Sequence, residues 1–167
     1  MSSSNRIQAQ TLLKSARILE APVDVEKIAK ILGFTIIPFP FPEKRKGMVL
    51  IENGVKAIGV NEKHPVTLQR YTIGHELGHF INGHAHFENA FIEDETIFYD
   101  HHFQQEREAD SFAAELLMPK DFLENDLALN RIDESQLLGK YLVSKQALWV
   151  RLNTLRLAEK YSYLRSS

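Results

Sequence analysis

Two histidines four residues apart, with a glutamate beside the first, stand at His75-Glu76-Leu77-Gly78-His79. On an α-helix, residues four apart lie about 40° apart around the axis, so both imidazoles reach one metal ion from one face. Glu76 is rotated by about 100°, which keeps it out of the ligand set but beside it. From there a carboxylate can take a proton from an attacking water, while zinc acidifies that water and polarises a carbonyl. The chemistry this pattern supports is peptide-bond hydrolysis with Glu76 as general base and His75 and His79 as metal ligands. Core histidines satisfied by backbone carbonyls are the competing interpretation. Leu77, Phe80 and Ile81 point to a buried helix, where two imidazoles and a carboxylate cost desolvation unless a ligand offsets it.

The chain has no cysteine, so any further donor must be His, Asp or Glu. A catalytic zinc takes a third protein ligand and keeps one position open. Glu106, Glu108, Asp110, His84, His86, His101 and His102 are the candidates. The pattern after Phe103 is helical, with Glu106, Ala109, Ala113 and Leu117 on one face. Two alanines there would let this helix approach the metal helix closely, which favours Glu106 as third ligand, with Glu108 as the fallback. Asp110, one turn beyond Glu106, can accept a hydrogen bond from the other ring nitrogen of a ligating His and so fix its tautomer. The donor set suits Zn2+, with Mn2+ as an alternative. Gly74 and Gly78 each cost about 1 kcal/mol of helix propensity relative to Ala. They serve either close approach of a strand or substrate, or ordinary tight helix packing. A donor for the tetrahedral oxyanion is also needed; His84, His86, His101, His102, Tyr71 and Tyr99 are candidates, though each taken singly is more often a surface histidine or a core tyrosine.

Elements must position these groups. Residues 6–20 carry Ile7, Leu12, Leu13, Ala16 and Leu19 near helical period, and Pro22 stops the segment. Residues 23–32 give a short second helix closed by Gly33, and 34–38 a strand. Pro38, Pro40 and Pro42 make 38–46 an irregular loop. Strands 46–51 and 55–60 flank Asn53-Gly54, a strong hairpin signal because both residues tolerate positive φ. Pro65 suits the first turn of the metal helix, 65–82, and Gly83 its C-terminal cap. Residues 84–100 are aperiodic and acidic, an irregular loop or cover. Helices follow over 103–118, 119–127, 133–141 and 144–160. The expected architecture is α+β: a small antiparallel sheet of about three strands packed against the metal helix and surrounding helices, with 55–60 as an edge strand beside that helix. Residues 1–130 are expected to form the catalytic domain and 131–167 a C-terminal helical extension packed on it.

Composition bounds the function classes. With 167 residues, 44% hydrophobic and 25% charged, the chain can bury an ordinary core. A net charge of −2 gives no global field toward nucleic acid or an anionic membrane. The absence of cysteine excludes a disulfide framework, thiolate metal sites and a cysteine nucleophile. No run approaches the roughly 18 apolar residues of a membrane helix, and residues 1–10 carry no apolar secretory core. A cytoplasmic, reducing location is the expectation.

Tyr71-Thr72-Ile73-Gly74-His75-Glu76-Leu77-Gly78-His79, followed by Glu106-Arg107-Glu108-Ala109-Asp110-Ser111-Phe112-Ala113-Ala114-Glu115-Leu116-Leu117-Met118-Pro119, resembles the ImmA/IrrE family of metallopeptidases. Pro22-Val23-Asp24-Val25, Leu32-Gly33-Phe34 and Val60-Asn61 extend the likeness upstream, and the whole covers about residues 10–157. The resemblance implies a zincin-like fold and, as in the Glu-zincins, a third ligand at Glu106 with its partner at Asp110. It also implies a substrate: a helix-turn-helix transcriptional repressor, or an antitoxin as partner.

A reading from another class rests on Val143-Ser144-Lys145-Gln146-Ala147-Leu148 through Leu155-Arg156, which resembles the second half of a helix-turn-helix. Residues 133–167 carry a local excess of three positive charges. DNA binding, or a toxin–antitoxin role through these helices, is thus the alternative. The excess is small, and Leu148, Trp149, Leu152 and Leu155 suit packing, so direct nucleic-acid binding is disfavoured.

Overall fold

The computed structural model describes residues 3–84, 99–128, 132–159 and 161. Its sheet is organised by a two-residue turn. Asn53 (φ 49°) and Gly54 (φ 80°) both take the left-handed conformation, whose twist matches that of paired antiparallel strands. The turn joins β2 (Gly47–Glu52) to β3 (Val55–Asn61), with Glu52 opposite Val55 and Gly47 opposite Val60. β1 (Thr35–Phe39) lies on the other side of β3 and runs parallel to it, Thr35 opposite Ala57 and Phe39 opposite Asn61.

The sheet has the expected three strands but is mixed, in the order β1-β3-β2. Loop 40–46 carries the chain across the sheet before β2 begins, so the return strand of the hairpin meets β1 in parallel. Residues 55–60 are therefore central rather than an edge, and the edges are β1 and β2. The burial of Ala57, Ile58 and Val60 is what a central strand requires. At its end, buried Asn61 donates to the carbonyls of Phe41, Pro42 and Arg45 at 3.3, 3.3 and 2.9 Å, which ties the loop to the strand.

Helices surround the sheet: α1 (Ser3–Ser15), α2 (Val25–Ile31), α3 (Val66–Asn82), α4 (Tyr99–Leu117), α5 (Lys120–Ala128), α6 (Glu134–Tyr141) and α7 (Lys145–Thr154). Asp24, Asp133 and Ser144 cap α2, α6 and α7 by accepting from backbone N–H groups of the first turn. α1 and α7 stop earlier than their apolar periodicity predicts, and each is followed by a non-glycine residue at positive φ, Arg17 (53°) and Arg156 (58°). None of the described helices is long and apolar enough to cross a membrane.

α3 packs on β2 and β3 with one face and on α4 with another. A Cβ added at Gly78 would lie 2.8 Å from both Cα and O of Ala109, and one at Gly74 would lie 3.3 Å from Cβ of Ala113. The two glycines thus serve tight helix packing, and the alanines opposite them are those that share a face with Glu106. Around this contact one core gathers Ile73, Leu77, Phe112, Leu116 and Leu117 with Leu148 and Leu152 of α7. α7 is further pinned by buried Arg151, which pairs with both oxygens of Glu115 at 3.0 and 2.7 Å and donates from Nε to the Met118 carbonyl at 3.0 Å. Removing one partner of such a pair costs about 3–5 kcal/mol.

Gly78→Ala is expected to destabilise the fold. It gains about 1 kcal/mol of helix propensity but meets backbone atoms of α4 that cannot yield, at an overpacking cost of about 1–3 kcal/mol. Gly74→Ala meets the Ala113 methyl at 3.3 Å and its Cα at 3.4 Å, a milder crowding than at Gly78, and should lie within about 1 kcal/mol of wild type. Urea titrations of the two variants measure the difference, and equal midpoints would refute the packing account.

Candidate metal centre

α3 places His75 and His79 one turn apart with their Nε2 atoms 3.0 Å from each other. α4 brings Glu106 against both, Oε2 at 3.3 Å from His75 Nε2 and Oε1 at 3.2 Å from His79 Nε2. One donor atom from each residue falls within 4.8 Å of the other two, the only such group among the described residues that could hold a metal ion. The outward nitrogens are engaged. His75 Nδ1 lies 2.8 Å from Asp110 Oδ1, and His79 Nδ1 lies 2.9 Å from His84 Nδ1. With Nδ1 as the donor, each ring can give up its Nε2 proton and offer that nitrogen to an ion. Two such nitrogens and one carboxylate are a donor set that fits zinc.

The electrostatics separate the groups. Burial pulls the His75 pKa down, but hydrogen bonds to Asp110 and Glu106 outweigh it and raise the value to about 9. The same bonds from His75 and His79 hold the Glu106 carboxyl well below the usual carboxylate range. Burial raises the pKa of Glu76, against the pull of the adjacent histidines. Burial also works to raise Asp110, yet hydrogen bonds from His75 and Tyr71 bring it below its ordinary value. Tyr71 donates its hydroxyl to Asp110 Oδ1 at 2.7 Å, and burial together with that bond pushes the phenol far up, so it stays a donor.

The structure thus brings together His75, His79, Glu106 and Asp110. It does not bring in Glu108, the fallback: Oε2 of Glu108 lies 3.1 Å from His84 Nε2, and Oε1 accepts from Gln104 at 2.9 Å. Two oxyanion candidates have other partners. Tyr71 is on Asp110, and His84 is buried between His79 and Glu108. His86 and the acidic segment 85–98 lie outside the described residues, as do the side chains of Tyr99, His101 and His102.

His84 is the residue that sequence reasoning placed wrongly. Its signal was Gly83, at φ 67° just past α3. The Gly83 N–H reaches Phe80 O at 3.2 Å and the His84 N–H reaches His79 O at 3.1 Å, the Schellman pattern, which sets the side chain of residue 84 against that of residue 79.

Three basic residues of the C-terminal helices are paired with carboxylates. Arg151 is buried on Glu115, Lys140 meets Asp126 at 2.6 Å, and Lys145 meets Glu134 at 2.6 Å. Lys160 and Arg165, which complete the local basic excess, lie outside the described residues.

The sequence profile of Peptidase M78, the IrrE N-terminal-like domain, matches residues 29–153. The chain belongs to this family. The match spans the metal helix, the Glu106 helix and α7, so it takes in all four converging residues. No curated protein matches the chain. Among solved structures, a Mycobacterium tuberculosis transcriptional regulator shares the fold at TM-score 0.64 and 14% identity, over 89% of this chain and 46% of that one. This IrrE-like chain therefore spans about half the length of that neighbour.

Two outcomes follow for an IrrE-like centre built this way. Glu106→Ala should lower zinc affinity far more than Glu108→Ala, and Asp110→Asn should cost about 10–100-fold, all read by competition with a chromophoric chelator. A larger loss in Glu108→Ala would make Glu108 the ligand. The second outcome concerns protons. An ion on His75 Nε2 displaces a proton from a group titrating at about 9. Affinity should be complete above that value and fall as pH drops below it. Calorimetry near neutral pH in buffers of different ionisation enthalpy should register proton release, and none would contradict the raised value.

Proposed function

We propose that the chain is a zinc-dependent peptidase in which His75, His79 and Glu106 hold the ion, Asp110 orients His75, and Glu76 is the general base. The observation that carries this is the convergence of the three donors beside a carboxylate whose pKa burial raises. Zinc held there would supply Lewis acidity and lower the pKa of water to about 7. Glu76 stands one residue from His75, off the ligand face, positioned to take the proton of the attacking water and return it to the leaving amine. A raised pKa brings both transfers nearer to balance at neutral pH.

A protein substrate is supported by the space beside the centre. A cleft of about 1370 Å³ runs from Tyr71 and Asp110 along α4 to Val143 and to Val150 of α7; it reaches the centre only at Asp110 and Tyr71, and His75, Glu76, His79 and Glu106 do not line it. Pockets for small ligands are typically about 300–1,000 Å³, so this one suits a polypeptide. With β3 central, the edge open to an added strand near α3 is β2, whose Gly47 would crowd Thr72 if it bore a Cβ (2.6 Å). A segment adding there must be locally extended, as linkers are. Family membership supports a helix-turn-helix repressor, or an antitoxin, cut once in such a linker; a repressor substrate would place the enzyme in the cytoplasm. We read residues 131–167 as an extension of the peptidase domain rather than a separate unit, because Leu137, Tyr141, Leu148 and Leu152 share its core.

Purified protein with zinc or manganese, incubated with a candidate repressor, should give one new terminus by mass spectrometry. Chelator should abolish it, and so should Glu76→Gln at normal metal content. Near-native turnover in Glu76→Gln would remove the general-base role. A stable complex without cleavage would point to toxin–antitoxin pairing instead.

A further inference from the structure

His75 and His79 are held by different means. His75 Nδ1 meets a carboxylate directly, whereas His79 Nδ1 meets a second imidazole, His84, whose far nitrogen meets Glu108 Oε2 at 3.1 Å. Two facing ring nitrogens form a hydrogen bond only if one carries a proton and the other a lone pair. Ionised Glu108 only accepts, so His84 Nε2 must carry the proton. A neutral His84 then accepts at Nδ1, and His79 must donate from Nδ1. His79 Nε2, which faces Glu106 at 3.2 Å, can then exchange the proton it shares with that carboxylate for a metal ion. The direction of the whole chain is set at its outer end.

The chain is built into the fold. His79 and His84 are 6% and 5% exposed, while the Glu108 side chain is 37% exposed. Gln104 holds the second oxygen of Glu108, and buried Asn5 of α1 donates to the Glu108 carbonyl at 3.0 Å. The Schellman turn at Gly83 fixes where the His84 ring can stand.

We propose that His84 is a positioning residue which, with Glu108 behind it, fixes the tautomer and ring orientation of His79 for metal binding. The proposal rests on the reading of His75, His79 and Glu106 as ligands.

The test is zinc affinity by chelator competition, with far-UV circular dichroism as the control for folding. His84→Leu should weaken binding about 10–100-fold. His84→Gln, whose amide oxygen can accept from His79 Nδ1–H, should recover much of that loss. Glu108→Ala should weaken binding less, and should add nothing in the His84→Leu background, because it acts only through His84. Nitrogen-15 spectra of zinc-loaded wild-type protein need no variant to fold, and should show His79 protonated at Nδ1 and His84 at Nε2. Wild-type affinity in His84→Leu, an additive Glu108 effect, or a His84 protonated at Nδ1 would overturn the proposal while leaving the ligand reading intact. Wild-type protein that takes up no zinc would overturn the ligand reading, and this proposal with it.

Discussion

The separation of α3 and α4 governs the site. Helices commonly pack about 8–10 Å apart, and here glycines at 74 and 78 face alanines at 113 and 109 with no room for another carbon at Gly78. The glycines forgo roughly 2 kcal/mol of helix propensity. Buried Ile73, Leu77, Phe112 and Leu116 each contribute about 1.5–3 kcal/mol, so packing outweighs propensity at this seam. The gain is positional. Glu106 lies one turn before Ala109, so the register that seats the alanines also sets its carboxylate over both imidazoles. Asp110, one turn on, reaches the outer nitrogen of His75 by the same register.

Close packing of titratable groups then forces their properties apart. Glu106 and Glu76 are the same residue type on adjoining helices, yet one is held well below its ordinary pKa and the other is raised. Glu106 receives hydrogen bonds from two rings, which favour the charged form. For Glu76, burial is the largest influence, and it favours the neutral form. Two carboxylates whose environments drive them apart can take different parts, one binding charge and the other exchanging protons.

Much of this was legible in the sequence because it rests on short-range periodicity. The His-Glu-x-x-His spacing, the Pro65 start and Gly83 stop of α3, the Asn53-Gly54 turn and the shared face of Glu106 with Ala109 and Ala113 are all local, and the structure has each of them. Strand order is not local. Nothing in 34–60 states that loop 40–46 crosses the sheet, so the parallel pairing of β1 and the central place of β3 escaped. The ion pair of Arg151 with Glu115 joins residues 36 apart in sequence, and on α7 alone Arg151 is one more basic residue. The place of His84 behind His79, rather than at the centre, was missed for another reason. Its sequence signal was present, but a histidine after a helix end resembles a surface residue until the cap geometry is followed through.

The two histidine supports also answer a problem of charge. Glu76, Glu106 and Asp110 already set three carboxylates around the centre. A carboxylate placed directly on buried His79 would be a fourth, at a depth where an ion's desolvation costs several kcal/mol. Asp110 can serve His75 directly because its side chain is 52% exposed and stays hydrated. On the inner side that solution is unavailable, since His79 is 6% exposed. A neutral imidazole can occupy such a position at lower cost, provided both its nitrogens are satisfied. His84 meets that condition, with one nitrogen on His79 and the other on a carboxylate at the surface. The arrangement carries directional control of the ring inward while the charge that sets it remains near water.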